Sequence, residues 1–304
     1  MLTDDLARYV ALHHALGFKF RIQQGLLRSY VAFAEAASDD TIRADRAMAW
    51  ARMAPSAPQR RNRLLTVRRF ALAMHAEDAR HEVPATDAVG RPPAERRRPH
   101  IYSASEIIQL MRAAAELSPA GTLRPRTYAT LFGLLAATGL RISEALALRL
   151  GDYADDGLVV RETKFRKSRL LPLHATTRQA LDVYIKARAS VAGADDHLFL
   201  SNTGTPPAYS TVITVFLSLA RAIGLRGGPG EPGPCVHDLR HSFAVRSLEA
   251  CSADSHIVAR HIVGLSTYLG HAHVTDTYWY LHATPLLMNR IANAGERLYR
   301  GAAS

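Results

Sequence analysis

The chain has 304 residues, more than one small domain needs, so two domains are expected. At 48% hydrophobic it is too apolar for a disordered chain, yet its longest apolar run, Tyr128 to Leu140, is too short to span a bilayer. Its 38 Lys and Arg against 27 Asp and Glu leave a net +11, and only Lys19, Lys164, Lys167 and Lys186 are lysines. Arginine bias of the genome is one reading of this; the other is that guanidinium forks suit phosphate oxygens, so a nucleic acid is the expected partner. Two cysteines, Cys235 and Cys251, are too few for a disulfide framework. The opening MLTDDLARYV is acidic and amphipathic, unlike a signal peptide, so a cytoplasmic location is expected.

In chain order, LARYVALHHALGF, GLLRSYVAFAEAA, DRAMAWARM and RRNRLLTVRRFALAMHA place apolar residues three and four apart and predict four helices. Arg60, Arg61, Arg63, Arg68 and Arg69 crowd the fourth, as a solvated face or a phosphate-facing one. Residues 84–99, PATDAVGRPPAERRRP, break the pattern with prolines and an arginine run, Arg96 to Arg98, that could track a DNA backbone. They read as a linker between domains at 1–83 and 100–304. A capping box, Ser103 to Glu106, opens the next helix, and YATLFGLLAA is a helix ending at Gly139. Another helix is expected from Ile142 through SEALALRL. GLVVRET and SRLLPLH read as two strands joined by KFRK, followed by helix TTRQALDVYIKAR, strand HLFLS and helix STVITVFLSLARAIGL. Residues 226–234, RGGPGEPGP, are expected to be flexible and to precede two or three final helices. The expected fold class is therefore mainly α with a small antiparallel β-sheet (α+β). No internal repeat is found.

Four distant segments carry residues suited to one reaction. ATGLRISE holds Arg141 at a helix junction, where it either meets an anion or pairs with Glu144 three residues on. TKFRKSR holds Lys164 at the end of a strand. HDLRH places His237 and Arg240 on one helix face near its N-terminus, where the helix dipole favours an anion. His237 and His241 also have the spacing of a zinc pair, but Asp238 stands where that motif needs a glutamate and Arg240 would set a cation beside the metal. The fourth segment, LGHAHVTDTYWYLH, offers His271 and two tyrosines, Tyr278 and Tyr280. Asp155-Asp156 and Asp195-Asp196 read as turn residues before metal ligands.

Together these segments resemble the tyrosine recombinases, the phage-integrase family, over about residues 100–285, and the helical segment before them resembles the family's core-binding domain more loosely. Each motif alone is weak; all of them in order are specific. The resemblance selects Tyr280, nine residues after His271, over Tyr278, and prefers Lys164 over Lys167. It implies an active site of Arg141, Lys164, His237, Arg240, His271 and Tyr280, with no cofactor, metal or ATP. Tyr280 would attack a phosphodiester of double-stranded DNA to give a 3′-phosphotyrosyl linkage. Arg141 and Arg240 would clamp the phosphate, Lys164 would protonate the leaving 5′ oxygen, and His237 and His271 would hydrogen-bond the phosphate in a protonation state left open. A tetramer on DNA exchanging strands through a Holliday junction is implied, with the amphipathic segment PLLMNRIANAGERLY folding back or docking on a neighbour. LSTYLGH followed by DTYWYL is closest in character to integrases of transposon-like mobile elements, and the long stretch between Arg240 and His271 is expected to add a turn or loop. Trp279 is expected to face away from Tyr280, Tyr278 to pack or hydrogen-bond, and His273 and His282 to lie outside the catalytic set.

Overall fold

A computed structural model of the chain describes residues 1–90, 97–161, 168–191, 195–251, 255–271 and 273–278, together with 280, 289, 293 and 296. Lys164, its alternative Lys167, Arg96, Trp279, His282 and most of the amphipathic C-terminal segment lie outside these residues. The chain separates into two compact units, Met1–Arg97 and Arg98–Ser304.

The first unit is helical: α1 (Leu2–Ala15), α2 (Arg21–Glu35), α3 (Ala44–Arg52) and α4 (Ala57–Glu77). Ser56 caps α4 by accepting from the Gln59 N–H, and Pro58 sits in its first turn, where the missing N–H costs nothing. Leu27, Tyr30, Trp50, Leu64 and Phe70 form the buried centre. The α4 arginines take a role that the sequence patterns left out. Arg60 donates to the Ala54 carbonyl (2.8 Å), Arg61 to Thr86 (3.2 Å), Arg63 to Trp50 (3.3 Å) and Arg68 to Pro84, so they hold the loops of their own unit as well as giving it positive charge.

The second unit contains α5 (Ala104–Ala115), α6 (Leu123–Thr138), α7 (Ile142–Ala147), β1 (Tyr153–Ala154), β2 (Gly157–Val160), β3 (Arg169–Leu171), α8 (Ala175–Arg188), α9 (Tyr209–Ala222), α10 (His237–Glu249), α11 (Ser255–Leu269) and α12 (Thr275–Tyr278). The capping box of Ser103 and Glu106 starts α5 as expected. Buried α6 is the hub, packed against α5, α8 and α10. Its core includes Tyr102, Leu131, Phe132, Leu158, Leu171, Tyr184, Phe199 and Phe216. A smaller cluster between α10 and α11 joins Ala244, Val245, Leu248, Leu265 and Leu269 to Tyr280.

The sheet has three antiparallel strands in the order β1-β2-β3; β1 was not among the expected strands, and Asp155 and Asp156 form the turn that joins it to β2. Leu158 faces Leu171 in register. Two other expectations are corrected. Helix α7 stops at Ala147, because Leu148 turns extended and a 3-10 turn, Leu150–Asp152, follows. HLFLS makes only an isolated bridge, His197 with Arg149. Within the glycine-rich stretch 226–234, Arg226 donates to the carbonyls of Gly233 (2.7 Å), Pro234 (3.0 Å) and Glu231 (2.7 Å). In the long stretch before His271, the chain turns at Ala250 and Cys251 after α10, residues 252–254 lie outside the described residues, and the fifteen-residue helix α11 follows.

Candidate active site

Gly139 ends α6 in the left-handed region, φ 62°, where a Cβ would come within 2.6 Å of Phe243. The turn delivers Arg141 as the residue that caps α7. Of the two expected partners for Arg141, an anion or Glu144, Glu144 is the one observed. Its guanidinium pairs with Glu144 at 2.8 Å while two of its nitrogens reach the Leu269 and Gly270 carbonyls at 3.4 and 3.5 Å.

Arg240 lies one turn into α10 with 3% of its surface exposed. It donates to the Gly139 carbonyl (2.7 Å) and to the Leu269 carbonyl (2.8 Å), so one backbone oxygen serves both guanidiniums. Burial first, then repulsion from Arg141, lowers its pKa to about 10; interaction with the Tyr280 side chain offsets part of that.

A third arginine, Arg169, was not among the expected site residues. It opens β3, donates from Nε to the Tyr268 carbonyl (2.7 Å), and grips the far oxygen of Glu144 at 2.8 Å. Burial would raise the Glu144 carboxyl, but Arg169 and then Arg141 outweigh it and hold the group below its ordinary range. Gly270, at φ 69°, leaves the room this contact needs, since a Cβ there would lie 2.7 Å from Arg169 Nη1. The signal in sequence was strand alternation: Arg169 shares a face with buried Leu171, and a cation facing a core demands a partner.

The last turn of α11 thus presents the carbonyls of Tyr268, Leu269 and Gly270 to three arginines from β3, α10 and α7. The carboxyl end of a helix carries partial negative charge, which favours cations there. His271 follows at once. Its ring lies 5.9 Å from the Tyr280 ring at 22°, and its Nδ1 is 2.8 Å from the Thr277 hydroxyl. Burial, with Arg240 and Arg141 next, lowers the His271 pKa to about 4. His237 at the start of α10 shifts the same way, through burial and then Arg240. His241 meets the Tyr280 ring at 5.2 Å and 65°, so Tyr280 sits between two imidazoles with 4% exposure. Tyr278 is 47% exposed, so of its two expected roles, packing or hydrogen-bonding, packing is not met, and His273 is exposed.

Arg141, His237, Arg240, His271 and Tyr280 are therefore brought together, and Lys164 lies outside the described residues. The His237 and His241 rings stand 5.0 Å apart. The group of three His, Cys, Asp or Glu side chains found close together among the described residues is elsewhere, at Asp195, Asp196 and His197, where Arg149 already pairs with Asp196 at 2.6 Å. No helix among the described residues is long and apolar enough to cross a membrane.

Residues 102–286 match the phage integrase family. The chain is 40% identical over 300 residues to "Putative integrase/recombinase y4rB" of Sinorhizobium fredii, covering 95% of each chain. It is 30% identical over 251 residues to tyrosine recombinase XerD of Brucella suis, covering 79% of this chain and 76% of that one. Among solved structures, the Tn1549 transposon integrase in complex with transposon right end DNA shares the fold at a TM-score of 0.67 and 19% identity, covering 98% of this chain and 99% of that one. A lambda integrase tetramer bound to a Holliday junction shares it at 0.62 and 21%, covering 92% of this chain and 76% of that one.

Proposed function

The chain belongs to the phage integrase family, and from that premise we propose that Arg141, Lys164, His237, Arg240, His271 and Tyr280 cleave and rejoin DNA as a mobile-element, tyrosine-type site-specific recombinase. The observation that carries these roles is the convergence of Tyr280 with Arg240 and His271, with Arg240 and Arg141 sharing the Leu269 carbonyl. The Tyr280 oxygen, its proton released to water, forms a bond to the scissile phosphorus as the bond to the 5′ oxygen breaks, leaving a 3′-phosphotyrosyl linkage that keeps the phosphodiester energy for rejoining. Arg141 and Arg240 neutralise charge gathering on the non-bridging oxygens, work that a divalent ion does at other phosphoryl-transfer sites. Lys164 delivers a proton to the departing 5′ oxygen. His237 and His271 hydrogen-bond the phosphate.

The partner is double-stranded DNA carrying a recombination site. The basic balance of the chain, +11, supports binding through phosphates. The segment 1–83 contributes a second DNA-binding arm, joined to the catalytic domain 100–304 through 84–99. A tetramer acting through a Holliday junction, with contacts from the C-terminal segment between protomers, and a cytoplasmic location complete the reading; the lambda integrase tetramer on its junction supports the assembly.

Suicide duplexes nicked near candidate sites from the DNA flanking the gene test it. Wild type and Tyr278→Phe are expected to form a covalent protein–DNA adduct, and Tyr280→Phe to form none. A wild type that binds these duplexes without any adduct would make the chain a DNA-binding protein on the same scaffold.

A further inference from the structure

Every histidine in such a site has two nitrogens, and which one carries the proton decides what the ring can do. The Nδ1 of His271 is 2.8 Å from Oγ1 of Thr277, a residue with no exposed surface, six positions on in the short helix α12. Four threonines in the longer helices donate their hydroxyl proton to the carbonyl four residues back: Thr66 to Asn62 (2.8 Å), Thr138 to Leu134 (2.6 Å), Thr214 to Ser210 (3.0 Å) and Thr267 to Val263 (3.1 Å). Thr277 stands in the first turn of α12, so the corresponding carbonyl, that of His273, precedes the helix and accepts from the Asp276 N–H instead. Among the described residues the Thr277 hydroxyl has His271 Nδ1 as its one partner.

We propose that Thr277 is a positioning residue that donates to Nδ1 of neutral His271 and so fixes the ring proton on Nε2. Resting on the recombinase reading above, this makes His271 a hydrogen-bond donor to a phosphate oxygen and removes it as an acceptor for the Tyr280 proton. The surroundings keep the ring neutral. Arg240 on α10, Arg141 ahead of α7 and Arg169 on β3 all disfavour a fourth cation, and Asp276 on α12 opposes them only in part. A neutral imidazole whose Nδ1 accepts a hydrogen bond has its single N–H at Nε2.

Long-range proton–nitrogen NMR on protein labelled at histidine nitrogen reads the tautomer without DNA, with the His271 signals assigned by their loss in His271→Asn. Wild type and Thr277→Ser are expected to show Nε2 protonated and Nδ1 bare. Thr277→Val, which keeps the shape and removes the hydroxyl, is expected to mix the tautomers and slow adduct formation about tenfold at unchanged DNA affinity. Thermal unfolding confirms that both variants are folded, and the serine variant restores the rate. A proton on Nδ1 in wild type, or a valine variant with wild-type tautomer and rate, overturns the proposal. Absence of any adduct from wild type sinks the recombinase reading by itself, while the tautomer of the free protein still decides the role of Thr277.

Discussion

Arg240 is the residue on which the geometry of the pocket depends most directly. Its two donated bonds end on the carbonyls of Gly139 and Leu269, 101 and 29 residues away. A lysine keeps the charge but has no planar fork, so it cannot satisfy both carbonyls in one pose and present a face to phosphate. Arg240→Lys is expected to reduce adduct formation about a hundredfold or more and to lower the unfolding temperature, by gel assay and calorimetry. His271 gives a pH signature. Its folded pKa, about 4, lies below the ordinary 6.5, so the unfolded chain binds the extra proton between those values. Stability is then present above about 6.5 and falls as pH drops toward about 4, with His237 acting in the same direction. Urea unfolding at pH 7 and pH 5 is expected to show the loss, and His271→Gln to flatten it. Arg141, His237, Arg240, His271 and Tyr280 were legible because each lies in a short run with its own pattern. Arg169 and Thr277 were not, because their roles exist only through partners 25 and six residues away that folding selects.

At the scale of elements, β3 is joined to α7 and α11 through the paired arginines of Glu144. Glu144 and Arg169 have side chains only 7% and 10% exposed, so removing one partner leaves a buried charge. Arg169→Leu is expected to cost about 3 kcal/mol of stability. Because Glu144 titrates below its ordinary 4.5 when folded, its contribution is present above that value and is lost as pH falls through the lower folded one. The variant should therefore lose less stability than wild type between pH 6 and pH 3, measured by chemical denaturation. A steeper loss would contradict the assigned pairing. Helices with apolar periodicity and sharp caps, such as α5 with its Ser103–Glu106 box and α6 with Gly139, were readable in the sequence. The strands were not fully readable: two- to four-residue strands carry too little alternation, and HLFLS is buried because of its neighbours without a ladder to join.

For the whole molecule, charge and arginine usage make the clearest statement. The net +11 predicts DNA binding that weakens linearly with the logarithm of salt concentration, roughly a thousandfold between about 50 and about 200 mM for about six neutralised phosphates. Filter binding over that range on unrelated duplex checks it, and an affinity insensitive to salt would remove phosphate contact as the main attraction. Charge alone does not say how the arginines divide their work. Arg60, Arg63 and Arg68 hold carbonyls within the first unit, whereas Arg141 and Arg240 converge on the pocket of the second.

The last turn of α11 has a further meaning. Three cations held together would drive one another apart, and here the Glu144 carboxylate, paired with two of them, and three peptide oxygens supply the counter-charge before any DNA arrives. The work of gathering like charges is done once, during folding, so a phosphate meets a receptor already assembled. A mutation that frays that one turn would scatter the receptor without touching any of its cationic side chains.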